Sequence, residues 1–146
     1  MKENPMEIKV RQDMQESFLG DDTRPIAQII EGDEAELQAA GLSADQLAQA
    51  MRRLTQKGLE SLGDEVPVDG FRVRVEEYMG RIGCPFKHAV REAKRNTTAV
   101  NPQGRVMAWT DMSIHLIESH GFFQGEGSDY RLEPLALADF LGLLKK

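Results

Sequence analysis

The sequence predicts an α+β fold: one compact domain with a helical N-terminal half, a small antiparallel or mixed sheet, a hairpin-then-helix unit and a closing C-terminal helix. Three stretches carry that expectation. Phe71-Arg-Val-Arg-Val75 alternates apolar and charged side chains at the period of a half-buried strand. Ser43-Ala-Asp-Gln46 is a capping box that opens an amphipathic helix over about residues 44–61. Asn101-Pro-Gln-Gly104 has the residue order of a type I turn and lies between two strand-like runs. A chain of 146 residues is of single-domain size and long enough to bury a core without cross-links.

In chain order, Met6, Ile8 and Val10 alternate with charged residues and predict a short strand over 6–11. Residues 12–22 read as a loop, and 1–22 as partly flexible. Thr23 ahead of Pro25 starts a helix bearing Ile26, Ile29 and Ile30. Gly32 is expected to stop it, and Asp33 to cap a second short helix ending at Gly41. In the 44–61 helix, Leu47, Met51 and Leu54 form the apolar stripe. The strand from Phe71 is expected to run to Met79 and break at Gly80 and Gly83.

Beyond Cys84, the spacing of Phe86, Ala89, Val90 and Ala93 favours a helix over about 85–94, with an extended arm to Val100 as the competing reading. Strands over 97–100 and 105–109 flank the turn. A four-residue loop pairs Val100 with Arg105, and so sets Thr98 beside Met107 and Asn96 beside Trp109. Thr110 or Asp111 then caps a helix of about ten residues that Gly121 ends. Glu133-Pro134 starts the last helix, where Leu135, Leu137, Phe140, Leu141 and Leu144 exceed what one face needs. The surplus suggests a homodimer or protein partner docking through 134–144.

The net charge of −6 is unevenly spread. Arg72–Arg105 carries eight bases against three acids, whereas residues 1–70 carry 15 acids against 7 bases. So diffuse a basic strip more often faces the protein's own acidic half than nucleic acid, and no nucleic-acid site is assigned. One cysteine excludes an internal disulfide and fits a reducing compartment. With no signal-peptide or membrane-length apolar run, the expectation is a soluble, cytoplasmic protein.

Chemistry concentrates in Cys84–His120, which holds the only cysteine and all three histidines. Thiolate and neutral imidazole are preferred zinc ligands. The spacing is C-x3-H, then 26 residues, then H-x4-H. A histidine pair on a helix, after a hairpin and a cysteine arm, is an arrangement small zinc folds use. Only that architecture resembles a zinc finger, since the family's second hairpin cysteine is missing. The site hypothesis is thus one structural zinc on Cys84, His88, His115 and His120. Asp111, one turn before His115, would orient its imidazole. The bland reading is that Cys84 is a small buried hydrophobe. His115 would then sit on a wet face, and His120 would meet the helix C-terminal dipole.

The function expected is therefore a non-catalytic binding or regulatory module. A small hydrolase or transferase is the alternative. It would use Cys84 activated by a helix starting at Pro85 and held by His88, with Asp111 or Asn96 as third member, or else a metal-bound water at His115 and His120. The glycine-rich run Gly121–Ser128 follows a helix instead of preceding one, the wrong order for a phosphate cradle. It is expected to turn the chain while Phe122 and Phe123 plug the core; if it stays exposed, Phe122, Phe123 and Ser128 form a ligand or partner patch. An interaction subunit without a site is the third reading.

Overall fold

The computed structural model describes residues 18–86 and 90–144. The strand expected over 6–11, and His88, lie outside the described residues. The elements run α1 (Ile26–Ala39), α2 (Ala44–Leu59), β1 (Val66–Val68), β2 (Phe71–Gly83), β3 (Arg91–Val100), β4 (Val106–Thr110), α3 (Asp111–His120) and α4 (Pro134–Phe140). The fold is α+β. The four strands form one antiparallel sheet whose spatial order equals their chain order.

α1 is one helix, where two were expected. A glycine inside a helix costs only about 1 kcal/mol, and Asp33 is not a cap. Its carboxylate is buried and accepts two hydrogen bonds from Arg131, at 3.0 and 2.9 Å. α2 forms as its capping box predicts: Ser43 Oγ accepts from the Gln46 N–H, and Gln46 Oε1 accepts from the Ser43 N–H at 2.9 Å. It buries Leu47, Met51 and Leu54 against the sheet. Gly58 permits the close approach, because a Cβ there would lie 2.7 Å from Val75 Cγ2.

β1 and β2 are joined at Asp69-Gly70, both with positive φ, as a two-residue hairpin turn requires. β2 does not break at Gly80, where a bulge forms instead, but it does end at Gly83. It continues to Gly83 and pairs with β3 from Arg72↔Val100 to Gly83↔Arg91. Met79 and Gly80 bulge out, the register shifting between Tyr78 and Arg81. The helix expected over 85–94 is absent among the described residues. Pro85 and Phe86 form a turn and Arg91 begins β3. The local 3.6-residue pattern was outweighed by a ladder in which all of Arg91–Val100 finds a strand partner.

The β3–β4 hairpin forms with its register one residue away from expectation. Val100 pairs with Val106, Thr98 with Ala108 and Thr97 with Trp109. The cause is Asn101, whose side-chain oxygen accepts from the N–H of Gln103 and of Arg105 (2.8 Å), widening the loop to include Arg105. The shift turns Thr97 and Trp109 inward together. There Thr55 Oγ1 lies 2.6 Å from Thr97 Oγ1 and accepts from Trp109 Nε1 at 2.9 Å.

Two apolar cores result. The larger lies between α2, α3, α4 and the sheet, with Met51, Val73, Trp109, Phe123 and Phe140 in it. The smaller gathers Leu19, Ile26, Ile29, Cys84, Met112, Leu116 and Phe122. α4 spends its apolar residues internally. Leu137, Phe140 and Leu141 are buried, Leu143 and Leu144 pack on the larger core, and Leu135 is exposed. No described helix is long and apolar enough to cross a membrane.

Candidate metal centre

α3 is built as its sequence signals require. Thr110 Oγ1 accepts from the Ser113 N–H at 3.0 Å, and Gly121 closes the helix in the left-handed conformation with φ 62°. This fixes His115 in the middle of the helix and His120 in its last turn. The helix is far more enclosed than a wet face: Asp111 through Ile117 are all buried, His115 among them. Cys84 comes from the opposite side, immediately after β2. Its N–H donates to the Val90 carbonyl at 3.1 Å, which holds the turn out of the β2–β3 hairpin.

The structure brings Cys84, His115 and His120 together. Cys84 Sγ is 3.3 Å from His120 Nε2. The two imidazoles stand edge to face with centroids 5.4 Å apart, although five helical residues set their bearings roughly 140° apart. One ligand atom from each of the three residues lies within 4.8 Å of the others. Cys84 and His115 are buried and His120 is half-buried. Phe86 stacks on the His120 ring at 4.2 Å and meets Phe122 edge-on, fixing the imidazole from the side away from the helix.

Asp111 does not orient His115. Arg95 on β3 binds it instead, with Nε donating to Oδ2 at 2.7 Å. A nearby guanidinium holds a carboxylate more firmly than an imidazole one turn away. The group beside His115 is Glu92, whose Oε1 is 3.8 Å from Nδ1, with Ser119 Oγ at 3.4 Å on the same nitrogen. Metal ligation by His115 would therefore run through Nε2, with Glu92 as the orienting carboxylate. Sequence reasoning missed Glu92 because its place depends on the Ile82↔Glu92 pairing beyond the bulge. Phe86 was seen as a core residue and not as the ring against His120.

The remaining site residues fall elsewhere. Phe122 and Phe123 are fully buried, Phe122 in the smaller core and Phe123 in the larger, so they form no exposed patch. Gln124 of that loop and Tyr130 just beyond it line a cleft beside the β2 bulge, and Gly121 and Phe123 line another beside His120. Ser128 donates from Oγ to Gln124 Oε1 at 2.9 Å. Among the described residues no helix starts at Pro85 to activate Cys84, and the base beside its sulfur is His120. Asp111 is taken by Arg95, and Asn96 lines the cleft that Tyr130 reaches. In the basic strip, Arg72, Arg95 and Arg105 pair with Glu65, Asp111 and Asp139.

The cluster is reachable from outside on one side. His120 lines a cleft of ≈ 260 Å³, with Ile30 and Glu34 of α1 and Ser43 ahead of α2 on its other walls. The fold and this cluster define an α+β domain carrying a Cys-His-His donor set. No protein-family model, curated protein or solved structure matches the chain.

Proposed function

We propose that this domain is a metal-binding module holding one divalent transition-metal ion, zinc first among them, on Cys84, His115 and His120. The observation that carries the reading is the convergence of one thiol and two imidazoles to within 4.8 Å. Tetrahedral zinc, with bonds of about 2.0–2.3 Å, spaces its ligands about 3.3–3.8 Å apart. The Cys84–His120 contact of 3.3 Å already meets that spacing, and the widest pair has to close by about 1 Å. The donor set, one thiolate and two neutral imidazoles, is one that zinc prefers. Glu92 Oε1, 3.8 Å from Nδ1 of His115, would raise ligand basicity in a carboxylate–imidazole–metal arrangement once it closes to hydrogen-bond distance. His88 is the fourth ligand proposed from the sequence. A water there instead would leave the ion open to substrate through the His120 cleft.

Elemental analysis of protein purified without a histidine tag tests this directly. About one zinc per chain is expected, with loss in Cys84→Ser and in His115→Ala. A metal-free wild type that also takes up no cobalt(II) on titration sinks the proposal. His88→Ala separates the two coordination modes, since retention of zinc favours water as the fourth ligand.

The 3.3 Å sulfur–imidazole contact also favours a second reading, a Cys84–His120 nucleophile pair. That pair should give fast alkylation of metal-free protein by iodoacetamide at neutral pH, slowed in His120→Ala. An alkylation rate no faster than that of a free thiol removes it.

A further inference from the structure

A cleft of ≈ 290 Å³ beside the β2 bulge is unused by the metal proposal. That volume lies at the low end of ligand pockets, about 300–1,000 Å³, and suits a one-ring molecule. Ile82, Ala93 and Met112 supply apolar wall. Tyr78 and Tyr130, 55% and 54% exposed, bring two aromatic rings to the opening. Among the described residues no carboxylate lines it, although the protein carries a net charge of −6. The two charged side chains in the lining are Arg95 and Lys94. Arg95 is committed to Asp111 and Glu77. Lys94 lies along the bulge, its Nζ 3.9 Å from where a Cβ on Gly80 would sit.

A polar group is also fixed in the lining. Gln124 is almost completely buried and holds φ 74°, a conformation that costs a non-glycine residue about 1–3 kcal/mol and persists only where surroundings enforce it. Those surroundings are explicit. Arg131 donates to the Gln124 carbonyl at 2.6 Å, and Ser128 donates to its side-chain oxygen. Immediately after it, the Gly125 N–H donates to the Phe18 carbonyl and the Glu126 N–H to Asp22. With its side-chain oxygen so occupied, the amide presents its NH2 end, a donor, to a ligand. Apolar walls, two aromatic rings, one amide donor and one cation without a carboxylate complement a flat ring bearing an acidic group.

We propose that this cleft binds a small planar aromatic carboxylate, its ring against Tyr78 and Tyr130 and its anionic end toward Lys94 and the Gln124 amide. The probes are benzoate and nicotinate, with benzylamine and benzamide as charge controls. They are titrated into the isotope-labelled full chain while backbone amide shifts are followed. Saturable shifts are expected with the two carboxylates, centred on Ala93, Thr110, Gln124 and Tyr130. Lys94→Gln should weaken them by about tenfold, the scale of one charge-assisted hydrogen bond, and Tyr130→Ala should weaken them further. Both side chains are exposed, and the same spectra report whether each variant is folded. No saturable response to either carboxylate, equal binding of benzylamine, or shifts unchanged in both variants overturns the proposal.

Discussion

The two cores of this domain bury polar atoms in opposite ways. In the larger, the Trp109 N–H and the buried hydroxyls of Thr55 and Thr97 are joined in one chain of two hydrogen bonds. Asn101 likewise donates to the Phe140 carbonyl at 3.3 Å. Nothing further is needed, and such a network rigidifies the packing around it. In the smaller core, the polar atoms beside Leu116 and Phe122 belong to a thiol and two imidazoles, groups whose strongest bonds are to metals. One core is finished by its own side chains, and the other brings together the three donors proposed to hold a metal ion. Stability and chemistry are thus assigned to separate clusters, although α3 and the Phe122-Phe123 pair contribute to both.

Substitutions can break or sharpen that division. The largest effect is expected from Phe140→Ala, whose ring meets both Phe71 and Trp109 edge-on. The loss should be about 3–5 kcal/mol in urea unfolding, equal with and without zinc. A loss that depends on zinc would show that the two cores are one energetic unit. Arg131→Met tests the link between α1 and the segment leading into α4. It strands the buried Asp33 carboxylate, at a cost of about 3–5 kcal/mol, and Asp33→Leu in the same chain should restore most of it. Failure of the double variant to recover would mean that Arg131 acts chiefly through its bond to the Gln124 carbonyl. Next comes the smaller core. Zinc at a hundred times its dissociation constant should stabilise the wild type by about 2.7 kcal/mol and Cys84→Ser by almost nothing. The smallest effect is Ser43→Ala, about 1 kcal/mol for the cap of α2, insensitive to metal.

Local chemistry in the sequence foretold much of this fold. Ser43–Gln46 and Thr110–Gly121 carry their start and stop signals within a few residues, and both helices appear where those signals put them. Phe71-Arg-Val-Arg-Val75 alternates strongly enough to stand as a strand without help. Illegible features depended on distant partners. Phe86, Ala89, Val90 and Ala93 mimic a helical stripe, and only pairing with a β2 extended through Gly83 makes Arg91–Val100 a strand. Gly32 looks like a stop until Arg131, far along the chain, draws Asp33 inward. The hairpin register turned on one asparagine side chain competing for backbone N–H groups.

The candidate site divides in the same manner. Cys84, His115 and His120 were visible as a cluster of ligand types along the chain. Their convergence required the length of β2 and the burial of α3, neither of which local patterning contains. Asp111 was the natural choice beside His115 by helical spacing. A cross-strand guanidinium claimed it, and Glu92 came in from β3.

A sheet ordered β1-β2-β3-β4 has a consequence in time. Every strand pairs with its neighbour in sequence, so the meander closes short loops first, and low contact order of this kind speeds folding. Cys84 and His120, by contrast, come together only after β3, β4 and α3 have formed between them. An ion bound as proposed would then arrive after the rate-limiting step, at a contact absent from the transition state. Stopped-flow refolding should be indifferent to zinc while unfolding slows with it. A refolding rate that rises with zinc would place the cluster in the nucleus instead. The meander would make such an ion a brake on opening, a latch on a chain that has already found its shape.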